Sequence, residues 1–141
     1  EAIGQGDGPP LGRELEIAHL LAFLRRNRIR NTVWVTADVH YTAAHRYSPD
    51  RARFQDFDPF WEFVSGPIHA GTFGPNALDP TFGPEVVFMK APPPGQFNLP
   101  PSAGYQFFGH GRIDGATGQL TITLRDVSDA ALWAVTLDPE R

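Results

Sequence analysis

Apolar residues in the first part of the chain recur at the spacing of a helix. Four of them form one stripe: Ile17, Leu20, Leu21 and Leu24. Side chains three or four residues apart share a helix face, so the stretch predicts an amphipathic helix over residues 12–27. Glutamates stand in its first turns and arginines at its end, an order that complements the helix dipole. Residues 1–10, which contain several glycines and end in two prolines, are predicted as coil.

Two later runs carry bulky residues on both alternating faces, which is typical of strands buried on both sides. They are Thr-Val-Trp-Val-Thr-Ala at residues 32–37 and Phe-Trp-Glu-Phe-Val-Ser at residues 60–65. The segment 41–53 between them is predicted to contain a short helical turn. A further short strand is expected over residues 86–90, before three consecutive prolines.

The last part of the chain alternates polar and apolar residues. Strands are predicted over 105–113, 120–125 and 131–137, and sequences rich in aspartate and glycine or serine separate them as turns. In the middle strand every second residue is leucine or isoleucine, so one face is buried and the other is wet. The three strands form an antiparallel meander at the edge of a larger sheet or sandwich, and the whole pattern indicates an α+β fold.

These patterns divide the chain into four parts. Coil and helix occupy residues 1–30, buried strands occupy 31–66, and the meander occupies 104–141. Residues 67–103 are rich in glycine and proline and predict long loops, which often carry function. Phenylalanines interleaved in this part argue against disorder, because disordered segments are poor in aromatic residues.

Charge and composition narrow the possible partners. The chain has 12 basic and 16 acidic residues, a net charge of −4, which argues against non-specific nucleic-acid binding. A small anionic substrate held by metal ions remains compatible with this balance. Cysteine is absent, so disulfides, zinc–thiolate sites and thiol nucleophiles are excluded. No apolar run is long enough to span a membrane, and the first residues show no signal-peptide pattern.

The sequence Asp38-Val39-His40 directly follows the first predicted strand. Residues i and i+2 of a strand point to the same side, so the carboxylate and the imidazole would converge there. Carboxylate oxygen and imidazole nitrogen together suit a transition metal, with calcium possible at the carboxylate. Such a metal would also explain a buried carboxylate. The alternative is structural: Asp38 caps the next turn and a backbone carbonyl satisfies His40.

Other polar residues give weaker signals. His69 stands among small residues that would let the backbone approach a ligand, and the alternative is an incidental histidine in a tight turn. Asn76 and Asp79 are possible oxygen ligands, although turn formation also explains them. Of the remaining histidines, His19 is interpreted as partly exposed on the helix, His45 as solvated or structural, and His110 as structural within the meander. No phosphate-binding loop, serine elbow or dinucleotide fingerprint is present.

Two stretches, taken with their order and spacing, resemble a known family. Residues 30–40, Arg-Asn-Thr-Val-Trp-Val-Thr-Ala-Asp-Val-His, resemble the stretch of alkaline phosphatase D (PhoD) proteins that ends in Gly-Asp-Val-His. Residues 60–67, Phe-Trp-Glu-Phe-Val-Ser-Gly-Pro, resemble the next strand of that family. The preceding helix and the closing meander also fit its order of elements, so the resemblance covers nearly the whole chain.

The resemblance implies the C-terminal part of a calcineurin-like metallophosphatase core, in which two sheets face each other and metals lie at strand ends. It implies hydrolysis of phosphate monoesters or diesters, iron and calcium as cofactors, and an extracellular or periplasmic location. Asp38 and His40 match the family's late metal-binding motif and are expected to be metal ligands. We further hypothesise that His69 is a catalytic residue that orients the leaving oxygen and that Asn76 binds substrate.

Two departures from the family qualify this expectation. Ala37 replaces the glycine that usually precedes Asp-Val-His. The family's other metal ligands lie upstream of the helix, so the upstream half of the same domain is an expected partner, and this segment alone is expected to hold an incomplete site. The rival hypotheses are a non-catalytic, β-rich binding or accessory module and an inactive homologue of the same fold.

Overall fold

The structure, a computed structural model, describes residues 13–140. Within them, one α-helix and seven strands follow one another along the chain. Their bounds are α1 Glu14–Arg26, β1 Val33–Thr36, β2 Thr42–Tyr47, β3 Phe60–Val64, β4 Pro84–Lys90, β5 Phe107–Ile113, β6 Leu120–Asp126 and β7 Ala131–Leu137. Two single 3-10 turns, Pro49–Arg51 and Pro101–Ala103, lie in the connections. No helix in the described part of the chain is long and apolar enough to cross a membrane.

The strands form two sheets. The first has the order β1-β3-β2-β4, with β1 parallel to β3 and the other neighbours antiparallel. The second is an antiparallel meander of order β5-β6-β7. Because β1 and β3 run in the same direction, their carboxyl ends lie at the same edge of the first sheet, where Asp38 and Ser65 follow them.

Helix α1 covers one face of the first sheet. Leu21 of the helix is buried against a cluster of aromatic side chains from the sheet and its loops. Its buried members include Tyr47, Phe57, Phe60 and Phe82, and the rings of Tyr47 and Phe60 stack with 4.6 Å between their centroids. The apolar stripe that predicted the helix therefore supplies its contact with the sheet.

The second sheet covers the other face. Leu124 and Ile122 of β6 are buried against Phe63 and Ala44 of the first sheet. Trp133 of β7 joins this layer, because its ring lies about 6 Å from three aromatic rings of the first sheet. These are Trp61 at 6.0 Å, Phe63 at 6.3 Å and Phe88 at 6.0 Å. The layers follow the order helix, sheet, sheet, so the meander is one sheet of a sandwich.

A buried carboxylate lies within the helix-covered side of the first sheet. Glu62 of β3 is only 3% exposed. The hydroxyl of Tyr47 donates to Glu62 Oε2 at 2.6 Å, and that of Thr36 donates to Oε1 at 2.8 Å. His45 Nδ1 lies 3.4 Å from Oε2. These contacts satisfy the charge of Glu62 and join β1, β2 and β3.

Most of the predicted elements are confirmed. The helix, the strand at 60–65, the strand at 86–90 and the three strands of the meander all form, with bounds shifted by a few residues at most. The buried alternate residues of β6 confirm its one-sided pattern. The coil expected at residues 1–10 lies outside the described residues.

One prediction about the first sheet is wrong, and another is confirmed but left out a strand. Strand β1 is not buried on both sides, because Val35 is 76% exposed and β1 pairs only with β3 among the described strands. The short helical turn predicted in segment 41–53 is confirmed at Pro49–Arg51, but the segment also contains the six-residue strand Thr42–Tyr47, which was not predicted. Its two alanines are fully buried between β3 and β4, and this packing overrides their preference for helix.

The Glu62 carboxylate predicts an acid-dependent loss of stability. Burial raises the pKa of Glu62, hydrogen bonds from His45 and Tyr47 act in the opposite direction, and the net effect lowers the pKa from 4.5 to about 2. A carboxylate whose pKa is lowered on folding stabilises the fold at pH values above the unfolded-state pKa, by about 3 kcal/mol here. This contribution is therefore lost as the pH falls from 4.5 to about 2.

We expect Glu62→Gln to be less stable than the wild type at pH 7 in urea unfolding, with the gap narrowing as the pH falls through that window. Glu85→Gln, in the half-buried part of β4, is the matched control and should show no such convergence. A gap between wild type and Glu62→Gln that stays constant down to pH 3 would contradict the assignment.

Candidate functional site

The chain leaves β1 through a tight turn centred on Asp38. The amide of Val39 donates to the carbonyl oxygen of Ala37 at 3.0 Å, and Asp38 has a φ of 75°. A three-residue turn of this kind is a γ-turn with positive φ, which is a strained conformation. Aspartate tolerates positive φ better than most residues. The motif therefore lies on a strained turn rather than on the strand itself.

This turn explains why alanine is accepted at residue 37. Positive φ occurs at Asp38, and Ala37 is not among the residues with positive φ. A glycine is needed only where the backbone takes a conformation that side chains disfavour. The replacement of the family's glycine by Ala37 therefore brings no backbone strain of its own.

The carboxylate of Asp38 is directed away from the protein core. Asp38 is exposed, and its carboxylate has no hydrogen bond or ion pair within residues 13–140. The expectation of a buried carboxylate is wrong, and so is the argument that strand geometry places Asp38 and His40 on one side. Whatever binds Asp38 must reach it from the solvent-exposed side of the turn.

His40 is held in one orientation by the loop that follows β3. Its Nδ1 contacts the carbonyl oxygen of Gly71, and its ring lies against Phe73 with 4.4 Å between the ring centroids. A carbonyl oxygen only accepts hydrogen bonds, so Nδ1 carries the proton and Nε2 keeps its lone pair. Metal-binding histidines often have this arrangement, because a carbonyl on one nitrogen orients the other.

Glycines bring the loop after β3 onto the turn. A Cβ at Gly66 would lie 3.1 Å from the carbonyl oxygen of Val39. A Cβ at Gly74, which has a φ of 104°, would lie 2.6 Å from the Tyr41 ring. The amide of Asn76 then donates to the Tyr41 hydroxyl at 3.4 Å. Both Gly66-Pro67 and Gly74-Pro75 are cis peptides.

The weaker candidates lie on this same loop but form no cluster of ligands. His69 is exposed, and Asn76 is half-buried. Asp79 accepts the amide of Thr81 at 2.8 Å, so its interpretation as a turn residue is confirmed. Among residues 13–140, no three His, Cys, Asp or Glu side chains are arranged to hold a metal ion. Asp38 and His40 are therefore not joined by a third side chain of these types in the described part of the chain.

The other histidines fall outside the site. His45 is buried beside Glu62, which confirms the structural interpretation of this histidine and not the solvated one. His19 is exposed on α1, as expected, whereas His110, which was interpreted as structural, is exposed on β5. None of them joins a metal-binding cluster within the described ranges.

A cavity of about 470 Å³ lies at the opposite end of the first sheet. Val33 lines it at the start of β1, whereas Asp38 follows the end of that strand. Its charged lining is mixed in sign and consists of Arg30, Arg46, Asp58, Asp138 and Glu140. Arg30 and Glu140 already pair with each other at 3.2 Å. This cavity lacks a concentrated charge for an anion, and we assign the functional site to the Asp38 turn.

Several residues that shape the site were missed in the sequence. Tyr41 is buried and packs closely against Gly74, and it also contacts Asn76. Gly71 and Phe73 contact the ring of His40. The small residues around His69 predicted a close approach of the backbone to a ligand. The sequence did not indicate that the approach is to the residues around His40.

The comparison with family models agrees with these observations. A model described as PhoD-like phosphatase matches residues 2–124, which include the helix, the Asp38 turn, the glycine loop and most of the meander. The chain belongs to the PhoD-like phosphatase family. No match was found among the curated proteins or among the solved structures. The family membership indicates a hydrolase that acts on phosphate esters.

The strained turn predicts an unusual order of stability among variants. Glycine adopts positive φ without penalty, whereas alanine there costs about 1 kcal/mol. We expect Asp38→Gly to be more stable than Asp38→Ala in thermal unfolding. Asp50 lies in a 3-10 turn and is not among the residues with positive φ, so the same two substitutions there should reverse the order. Equal or reversed stability at Asp38 would contradict the turn geometry.

Proposed function

We propose that the protein hydrolyses phosphate esters in a metal-dependent reaction and that Asp38 and His40 are two of the metal ligands. The observation that carries the proposal is the orientation of His40. Its Nδ1 is committed to the Gly71 carbonyl, so the lone pair of Nε2 is available two residues from an exposed carboxylate. Asparagine or alanine at residues 38 and 40 would offer a metal neither a carboxylate nor an imidazole.

The donor set fits the metals that the family resemblance implies. A carboxylate oxygen suits a hard cation such as calcium, and an imidazole nitrogen suits a transition metal such as iron. Metal ions of this kind, when bound, neutralise phosphate oxygens and lower the pKa of a coordinated water. Iron and calcium are our proposal for this site, and the absence of cysteine leaves no thiolate donor among these 141 residues.

The chain's own residues prepare these donors. The γ-turn fixes the direction of the Asp38 carboxylate, and Phe73 and Gly71 fix the plane of the His40 ring. Donors that are already oriented need little reorganisation during the reaction. We further propose that His69 orients the leaving oxygen and that Asn76 binds the phosphate ester. Both lie on the loop that packs on the turn, which supports the assignment.

Two ligands do not complete a hydrolytic metal site. We propose that the upstream half of the same domain supplies the others and that both halves form a calcineurin-like, two-sheet core. The observed order of helix, sheet and sheet supports this proposal. The net charge of −4 fits a small, metal-held phosphate ester better than nucleic acid. By family resemblance, we propose an extracellular or periplasmic location.

The test uses the complete protein. Metal content and hydrolysis of p-nitrophenyl phosphate at alkaline pH are measured for wild type, Asp38→Asn and His40→Gln. We expect both variants to lose bound metal and to lose far more than ~10²-fold in activity, since general acid–base assistance alone contributes about that factor. Asp129→Asn and His110→Gln are matched controls. Asp129 is also an exposed aspartate with positive φ, and His110 is an exposed histidine on β5.

The alternative function is a non-catalytic binding module. The lack of a three-ligand cluster among residues 13–140 is the observation that favours it. Folded wild-type protein that binds no metal and hydrolyses no phosphate ester would support this alternative. Metal binding without hydrolysis would instead indicate an inactive homologue. Activity that survives both Asp38→Asn and His40→Gln would sink the ligand assignment.

A further inference from the structure

Gln106 is a buried polar residue that contacts the loop against which His40 lies. It lies directly before β5 and is 1% exposed. Its side-chain Nε2 donates to the carbonyl oxygen of Ala70 at 3.1 Å. Its other side-chain atom, Oε1, is buried and has no hydrogen-bond partner in the described part of the chain. A buried side-chain amide whose nitrogen is hydrogen-bonded and whose oxygen is not needs a physical explanation.

The backbone around Gln106 is fixed on two sides. The amide of Phe107 donates to the Pro67 carbonyl at 3.1 Å, and the amide of Val127 donates to the Gln106 carbonyl at 3.0 Å. Gln106 therefore extends from a rigid edge of the second sheet. Its side chain cannot be flipped, because Oε1 would then face the Ala70 carbonyl oxygen and two acceptors would meet.

Gln106 and His40 are hydrogen-bonded to two adjacent residues of the same loop. Ala70 accepts from Gln106, and the next carbonyl, that of Gly71, accepts from His40 Nδ1. Gly71 has little freedom, because a Cβ there would lie 2.8 Å from the Asn98 Cα. On its far side, Thr72 accepts the amide of Asn98 at 2.7 Å. Three successive carbonyls thus have three different donors.

We propose that Gln106 is a positioning residue for His40. By fixing Ala70, it places the Gly71 carbonyl where only the tautomer with a proton on Nδ1 fits, and this leaves Nε2 as the nitrogen that can bind a ligand. The unsatisfied Oε1 is consistent with this role. An apolar side chain would avoid the cost of a buried lone acceptor, but it would leave the Ala70 carbonyl without this donor.

The test measures the tautomer of His40 in the complete protein. Long-range ¹H–¹⁵N spectra of the histidine rings distinguish the two tautomers at a pH where the rings are neutral. The His40 signals are assigned by their loss in His40→Gln. We expect the wild type to hold the Nδ1–H form and Gln106→Met, which keeps the length but cannot donate, to show the Nε2–H form as well.

A matched control separates this effect from the loss of a buried polar atom. Thr81 also carries a buried, unpartnered side-chain oxygen, Oγ1, and within the described part of the chain it makes no hydrogen bond with residues 70–71. Thr81→Val should leave the tautomer of His40 unchanged. The unfolding midpoint of Gln106→Met should move little, because a lost hydrogen bond and a removed lone acceptor offset each other. A His40 that stays in the Nδ1–H form in folded Gln106→Met would overturn the proposal.

The link to metal binding rests on the proposed function and has its own readout. With Mn²⁺ as the probe in a direct titration, Gln106→Met should bind about tenfold more weakly, the low end for an outer-sphere change. Wild-type protein that binds no Mn²⁺ but shows the expected tautomers would overturn the metal assignment and leave the positioning role intact.

If Gln106→Met does not fold, a measurement on the wild type tests the positioning role instead. Rapid solvent exchange of the Gln106 side-chain amide protons would contradict the hydrogen bond to Ala70.

Discussion

The first sheet depends on a carboxylate buried at its centre. An ionised glutamate inside a protein is costly unless polar groups surround it. Glu62 meets this condition by accepting hydroxyl groups from Thr36 of β1 and Tyr47 of β2. Thr36 is the last residue of β1 and stands two positions before Asp38. The interaction that stabilises the sheet therefore also fixes the point from which the functional turn begins.

From that point, the site is built by close contact between two backbone segments. The turn 37–41 and the loop 66–76 approach each other where glycines remove the Cβ atoms that would collide. The loop is anchored in turn to the second sheet, through the Phe107 amide and the Gln106 side chain. Sheet packing, loop conformation and the orientation of one imidazole are thus connected by a continuous series of short contacts. Residues far from Asp38 in sequence influence its surroundings for this reason.

The sequence predicted the elements whose pattern is local. The stripe on α1 and the alternation in β6 both follow from periodic burial, which a single segment displays. Strand β2 was missed because its alanines favour helix, and only its place between two strands makes it extended. The Asp38 and His40 pair was found from a short motif, but its geometry was not. The carbonyl partner of His40 lies on a loop about thirty residues away, and the positive φ of Asp38 belongs to a tight turn that the motif does not mark.

The strand edges have a consequence for the behaviour of the protein in solution. An outer strand with unpaired amides and apolar side chains is a template for pairing with another molecule, and charged residues suppress such pairing. Strands β4 and β5 contain charges, at Glu85, Lys90 and Arg112, whereas β1 and β7 contain none. Val35 on β1 is also largely exposed. Within residues 13–140, these two uncharged edges are where intermolecular β-pairing, and the aggregation that follows from it, would begin.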